Sequence, residues 1–261
     1  MTKNQWEAFC DYKNQLKKHC DEWLKFSDEL KLLQTAASKV KNDTPEYPIE
    51  TPVVYNTAYD DFTEADEINL IVVGDNPGKN EQLEKNRKYL VGQSGKIAAG
   101  FFAGYPELKT DFRKNVIIAN KTPVHTAKTN HLKYLMKNGS PEIQKLILDS
   151  QKIMAEMTAA LHQKLIAEKG DKSVPPQLWL VGYAELKDRG IFLPYRDCLK
   201  SAYKNPGDWD NVFVYQHFSM NRFSIDLKDF RQKNPQLDLV GALKNLGHQH
   251  RDEIFGGPLE K

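Results

Sequence analysis

Four short stretches of this 261-residue chain end in side chains able to do chemistry. Gly74-Asp75-Asn76-Pro77-Gly78 sets a carboxylate beside a carboxamide, and Asn120-Lys121-Thr122-Pro123 brings a second carboxamide. Gly182-Tyr183 offers a phenol, and His217-Phe218-Ser219 an imidazole and a hydroxyl. A carboxylate or amide can hold a water molecule, and a histidine can donate a hydrogen bond to an atom on which negative charge develops. An amide presents one acceptor and two donors, enough to read the polar edge of a planar ring. Taken singly, each has a plain structural use: Asp and Asn favour turns, and a histidine at a strand end bridges loops. The set becomes a site only if the fold brings these residues to one rim.

The runs that precede them supply the elements. "INLIVVG" (68–74), "NVIIAN" (115–120), "QLWLVG" (177–182) and "NVFVYQH" (211–217) are apolar without in–out alternation. That pattern suits parallel strands buried on both faces. Helical stretches separate them. One starts near Ser94. A longer one is capped by Ser140 with Pro141 behind it, carries the stripe Ile143, Leu146, Ile147, Ile153, Met157 and Leu161, and stops at Gly170. A short helix follows Tyr183, and residues 226–247 form a closing helical segment broken at Pro235. Strand and crossover in alternation predict an α/β fold, three-layer α/β/α around a central four-stranded parallel sheet. Ligands of such sheets sit at the carboxyl ends of the strands, where the polar residues lie.

The first sixty residues read differently. Thr2 and Gln5 have capping-box spacing, Trp6, Phe9, Leu16, Cys20, Trp23 and Leu24 make a helical stripe, and a second helix starts at Ser27. Prolines then mark an extended linker. Residues 1–60 are thus expected to be a helical extension and linker packed on a domain of residues 61–261.

An apolar content of 40% supports a full core, and a net charge of +2 leaves any polyanion site to a local patch. The N-terminus lacks the apolar centre of a signal peptide, and no apolar run approaches the ~20 residues that cross a bilayer. A cytoplasmic protein without membrane partners is expected. Cys10 and Cys20 share one predicted helix, about 15 Å apart, and no CxxC pair exists, so neither a disulfide nor a thiolate metal site is expected. No cofactor or metal is called for.

Beyond this residue chemistry, the ordered set "GDNPG" (74–78), "LVGQSG" (90–95), "NKTP" (120–123) and "HFS" (217–219) resembles the motifs of the uracil-DNA glycosylase superfamily. "LWLVGYAEL" resembles that superfamily's third strand. The likeness spans residues 66 to 225 and lies nearest the cluster-free "GMNPG" and "GINPG" branches, as an outlying member. It implies hydrolysis of the N-glycosidic bond of uracil or a related deaminated base in DNA, on a base flipped from the stack. By the resemblance Asn76 would position the attacking water, and Asp75 would act as base or electrostatic support. His217 would bond the base carbonyl as charge develops, and Asn120 would read the base edge. Gly74, Pro77 and Gly78 would line the base pocket. Leu90 stands where the family has its stacking phenylalanine, leaving Tyr89 as the nearest aromatic. Ser94 and Ser219 would contact phosphates, and Met220, Arg222 or Phe223 would serve at the wedge that fills the vacated stack. Lys79, Lys96, Lys121, His125 and Lys128 are further candidates for the DNA backbone. A monomer with DNA as partner is expected. An alternative keeps the fold as a weak or inactive nucleic-acid- or nucleotide-binding member of the same superfamily. The weakest reading is an unrelated doubly wound enzyme using "DNPGKN" for phosphate, since GxGxxG and GxxxxGK[ST] are both missing.

Overall fold

The computed structural model describes residues 1–168 and 174–257. Its sheet is built from β1 (Leu70–Gly74), β2 (Val116–Asn120), β3 (Gln177–Val181) and β4 (Val212–Tyr215). All neighbours are parallel, in the order β2-β1-β3-β4. Every strand residue but Gln177 is buried, as the uniformly apolar runs require. Alternate side chains serve two cores. Ile71, Val73, Ile117, Ala119, Leu178 and Leu180 face one, and Leu70, Val72, Val116, Ile118, Trp179 and Val181 face the other.

Helices cover both faces. The first core is closed by α1 (Lys3–Trp23) and α2 (Ser27–Lys41). The second is closed by α3 (Gln93–Gly104). Back on the first face lie α4 (His131–Asn138), α5 (Pro141–Ala167) and α6 (Leu193–Ala202), followed by the single turn α7 (Pro206–Trp209). The chain ends with α8 (Arg222–Lys233) and α9 (Leu239–Phe255), both largely on the second face. The Thr2–Gln5 capping box forms, α2 begins at Ser27, and Ser140 caps α5 with Pro141 in its first turn. The expected stop at Gly170 lies outside the described residues. Three helices, α4, α6 and α7, were not anticipated, and the element after Tyr183 is a 3-10 turn over Tyr183–Leu186.

The N-terminal sixty residues belong to the same core cluster as the sheet. Gln34 Nε2 donates to the carbonyls of Pro52 (3.0 Å) and His125 (2.7 Å). Asn56 Nδ2 and Tyr59 Oη both donate to Ile118 O of β2, at 2.9 and 2.7 Å. The extension therefore covers the otherwise open edge of β2 and satisfies its unpaired carbonyl. No helix among the described residues is long and apolar enough to cross a membrane.

Candidate active site at the strand ends

The chain runs from β1 outward to β2, then returns past β1 to lay β3 and β4 on the other side. The reversal point lies between β1 and β3, where open α/β sheets ordinarily form a crevice. Here a lysine fills it. Lys121, fully buried, donates from Nζ to Asp75 Oδ1 (2.7 Å), Val181 O (2.6 Å) and Gly74 O (3.3 Å). It also lies 5.1 Å from the Phe192 ring centroid. Burial pulls the ammonium below the ordinary lysine range, and the Asp75 carboxylate opposes that shift. Asp75 Oδ2 accepts from Thr129 Oγ1 at 3.2 Å. Gly182, at φ +102°, closes over the pair. A Cβ there would stand 2.3 Å from Asp75 Oδ1, so the position takes no side chain.

Asn76, half-buried at the lip, is anchored through Nδ2 to Thr126 Oγ1 (2.8 Å) and Val124 O (3.2 Å). Both anchors use the amino group, so Oδ1 is the atom left to accept from a water or ligand. The turn is tied down on the same side, where the His125 ring bonds Pro77 O (2.8 Å) and Tyr47 Oη (3.0 Å). Asn120 ends β2 opposite Gly74. It is 2% exposed, and its Nδ2 has no partner among the described residues. Its Oδ1 lies 2.6 Å from where a Gly74 Cβ would be, so a glycine at 74 is what allows the amide to lie across the end of β1. An orphaned buried donor of this kind costs about 1–3 kcal/mol unless a water or ligand accepts from it.

His217 follows β4, and its pKa lies below the ordinary histidine value through burial, with Asp75 raising it and Lys121 lowering it. Both charges are thus within electrostatic reach of the imidazole. The Ser219 amide donates to Nδ1 at 3.0 Å, and Ser219 Oγ lies 2.8 Å from the same atom. Nδ1 must then accept, which leaves the neutral ring's proton on Nε2. β3 separates β1 from β4, so Asn76 and His217 leave the sheet roughly 10 Å apart at ~4.8 Å per strand. Asp75, Asn76, Asn120 and His217 all stand at the carboxyl ends of this one sheet.

Other positions are placed differently. Tyr89 is turned into the second core, with Oη donating to Val54 O at 2.6 Å. It borders a 490 Å³ cavity on the outer edge of β2, away from the rim, so it is not the base-stacking ring. Leu90 is buried in the left-handed region at φ +50°, and its carbonyl is held by Arg113 Nη2 at 2.6 Å. Gly95 permits that approach, since a Cβ there would overlap the Leu90 carbonyl. Lys121 and His125 are fully buried, which removes them as contacts to a DNA backbone. Lys79 and Lys128 are at least partly exposed and Lys96 exposed. Ser94 sits in the first turn of α3, half-buried, and Ser219 is committed to His217. Met220 and Asn221 adopt successive left-handed conformations, both at φ +55°; the cost of about 1–2 kcal/mol falls on Met220, since asparagine takes this conformation more readily. The bend leaves Met220 70% exposed and Arg222 exposed at the head of α8, whereas Phe223 is buried in the second core and is no wedge.

Glu81 was not anticipated. Its Oε2 accepts from the Gly78 amide at 2.7 Å, and the Leu90 amide also bonds the carboxylate. It therefore joins the 74–78 turn to the 90–95 segment. Burial raises it to about 7 against those two amides and Arg113. Its position three residues beyond Gly78, in a turn, was the available signal.

The fold and rim define a doubly wound parallel α/β protein with a polar site at its strand ends. No protein-family model matches the chain, and no curated protein or solved structure matches it significantly. Among the described residues no group of three His, Cys, Asp or Glu could hold a metal ion. The rim has a water acceptor in Asn76 Oδ1, a neutral imidazole donor in His217 and an unsatisfied amide donor in Asn120. The nearest carboxylate, Asp75, is neutralised by Lys121.

Proposed function

We propose that the protein is a monofunctional DNA glycosylase that hydrolyses the N-glycosidic bond of uracil or a related deaminated base. The observation that carries this reading is the unpartnered Nδ2 of buried Asn120, on the same strand-end rim as Asn76 and His217. A flipped uracil would accept from that amide at its O4 carbonyl. Asn76 Oδ1 would orient water toward the anomeric carbon, where its oxygen adds as the C–N bond breaks and its proton passes through solvent to the departing base anion. His217 Nε2–H would donate to O2 as the departing base gains charge, which a neutral imidazole can do without losing its own proton. Asp75, paired with Lys121, would shape the floor and leave little net charge there, so the base role falls away. Met220, held outward by the strained turn, would enter the stack as the base leaves.

A second reading has its own support. Leu90 and Tyr89 offer no exposed ring for stacking, and the one carboxylate at the rim is compensated. Both features suit a member of the same fold that binds nucleic acid without cleaving it. One assay separates the two. Uracil-containing oligonucleotides, single- and double-stranded, are incubated with the protein and treated with alkali to cut abasic sites. The first reading requires cleavage that disappears in Asn76→Ala and falls at least tenfold in His217→Ala. Binding without cleavage on uracil, hypoxanthine and xanthine substrates supports the second.

A further inference from the structure

A groove of about 730 Å³ descends between α3 and α8, away from the rim. One wall carries Ile97, Phe101 and Tyr105, spaced four apart along one face of α3 and its C-cap. The other carries Ser224, Lys228 and Arg231, which share one face of α8 at helical spacing. The two helices are joined below by Phe101 against Phe223, with ring centroids 4.9 Å apart. Among the described residues no carboxylate lines the groove. The groove begins at Asn221, in the strained turn four residues beyond His217. Its α8 wall from Asn221 to Gln232 is roughly 16 Å long at 1.5 Å per residue. That is the rise of about four or five stacked nucleotides at 3.4 Å each.

Lys228 and Arg231 stand exposed on one wall and the half-buried Tyr105 ring on the other, with Phe101 buried against it; charge that follows the phosphates and a ring that accepts bases of any sequence are the parts from which single-stranded nucleic acid sites are made. We propose that this groove holds a single-stranded segment flanking the nucleotide presented at the rim, which makes single-stranded or tailed DNA the preferred substrate class. The inference rests on the glycosylase reading for what happens at the rim, but not for binding in the groove.

The test uses the full chain and fluorescein-labelled 15-nucleotide DNA, single-stranded or as a blunt duplex, over a series of salt concentrations. Lys228 and Arg231 are exposed, so Lys228→Gln/Arg231→Gln is expected to keep its thermal midpoint. The variant should bind single strands at least tenfold more weakly and lower the salt slope by about 1.4, at ~0.7 per phosphate contact. Its duplex binding should change less. Tyr105→Ala should weaken single-strand binding roughly 5- to 150-fold. Wild-type binding to single strands that survives both changes overturns the groove and leaves the rim chemistry standing. Groove-dependent binding without base release has the opposite result: the groove holds and the glycosylase reading falls. Failure of wild type to bind DNA, or equal competition by a poly-glutamate peptide of the same length, overturns the single-strand proposal.

Discussion

Lys121→Met tests whether the switch point is held by charge. The substitution keeps an unbranched side chain, one atom shorter, and removes the ammonium that lies 2.7 Å from Asp75 Oδ1 and bonds the carbonyls of Gly74 and Val181. Asp75 would remain with an 11% exposed side chain and, among the described residues, Thr129 alone as a side-chain partner. Breaking one half of a buried pair costs about 3–5 kcal/mol, mostly because the remaining charge is uncompensated. For a chain of this size that lowers the thermal midpoint by roughly 6–20 °C. Asp75→Asn should cost a similar amount by stranding the lysine. The double variant Lys121→Met/Asp75→Asn, which buries no charge, should lose at least about 2 kcal/mol less than the sum of the singles. Urea unfolding at pH 7, followed by circular dichroism, measures all four proteins. Because the pair is shielded from solvent, the coupling should survive 1 M salt, where the screening length is about 3 Å. Additive losses, or a Lys121→Met cost below about 1 kcal/mol, would show that the pair is incidental and that the strand ends are positioned by packing alone.

Two further outcomes follow from the same geometry. Gly182→Ala should abolish base release and cost at least about 1–3 kcal/mol, because φ +102° is unfavourable to alanine and its Cβ would stand 2.3 Å from Asp75 Oδ1; full activity on alkali-cleavage assay would contradict the close approach. Glu81 supplies a pH signature. Its native pKa of about 7 lies above the unfolded value near 4.5, so the native state holds the extra proton between those values. Its contribution to stability is complete below about pH 4.5 and is lost as pH rises through about 7. Glu81→Gln removes that titration, so wild-type stability relative to the variant should fall by on the order of 3 kcal/mol between pH 4.5 and 8. Urea midpoints that differ by a constant amount across that range would refute the raised carboxyl.

The α/β class was legible in the chain because burial on both faces leaves a local mark. "LIVVG" and "VIIAN" are short, rich in β-branched residues and end at turn residues, which favours a strand buried on both faces over a helix, and the capping pairs Thr2–Gln5 and Ser140–Pro141 act within one turn. That polar residues gather at the strand ends was also readable, since each follows its run directly. Strand order was not, because the reversal between β1 and β3 depends on which hydrophobic faces pack together across more than a hundred residues. Lys121 and Glu81 show the physical limit most clearly. A lysine or glutamate in a turn is ordinarily solvated. Burial becomes favourable for Lys121 only when a carboxylate and two strand-end carbonyls from β1 and β3 converge on one ammonium, and for Glu81 when two backbone amides from separate loops meet one carboxyl. Tyr89 turned inward for a similar reason: Val54 O, supplied by the N-terminal extension, offered its hydroxyl a buried acceptor. Such convergences are properties of distance in space, and no window of the sequence contains them.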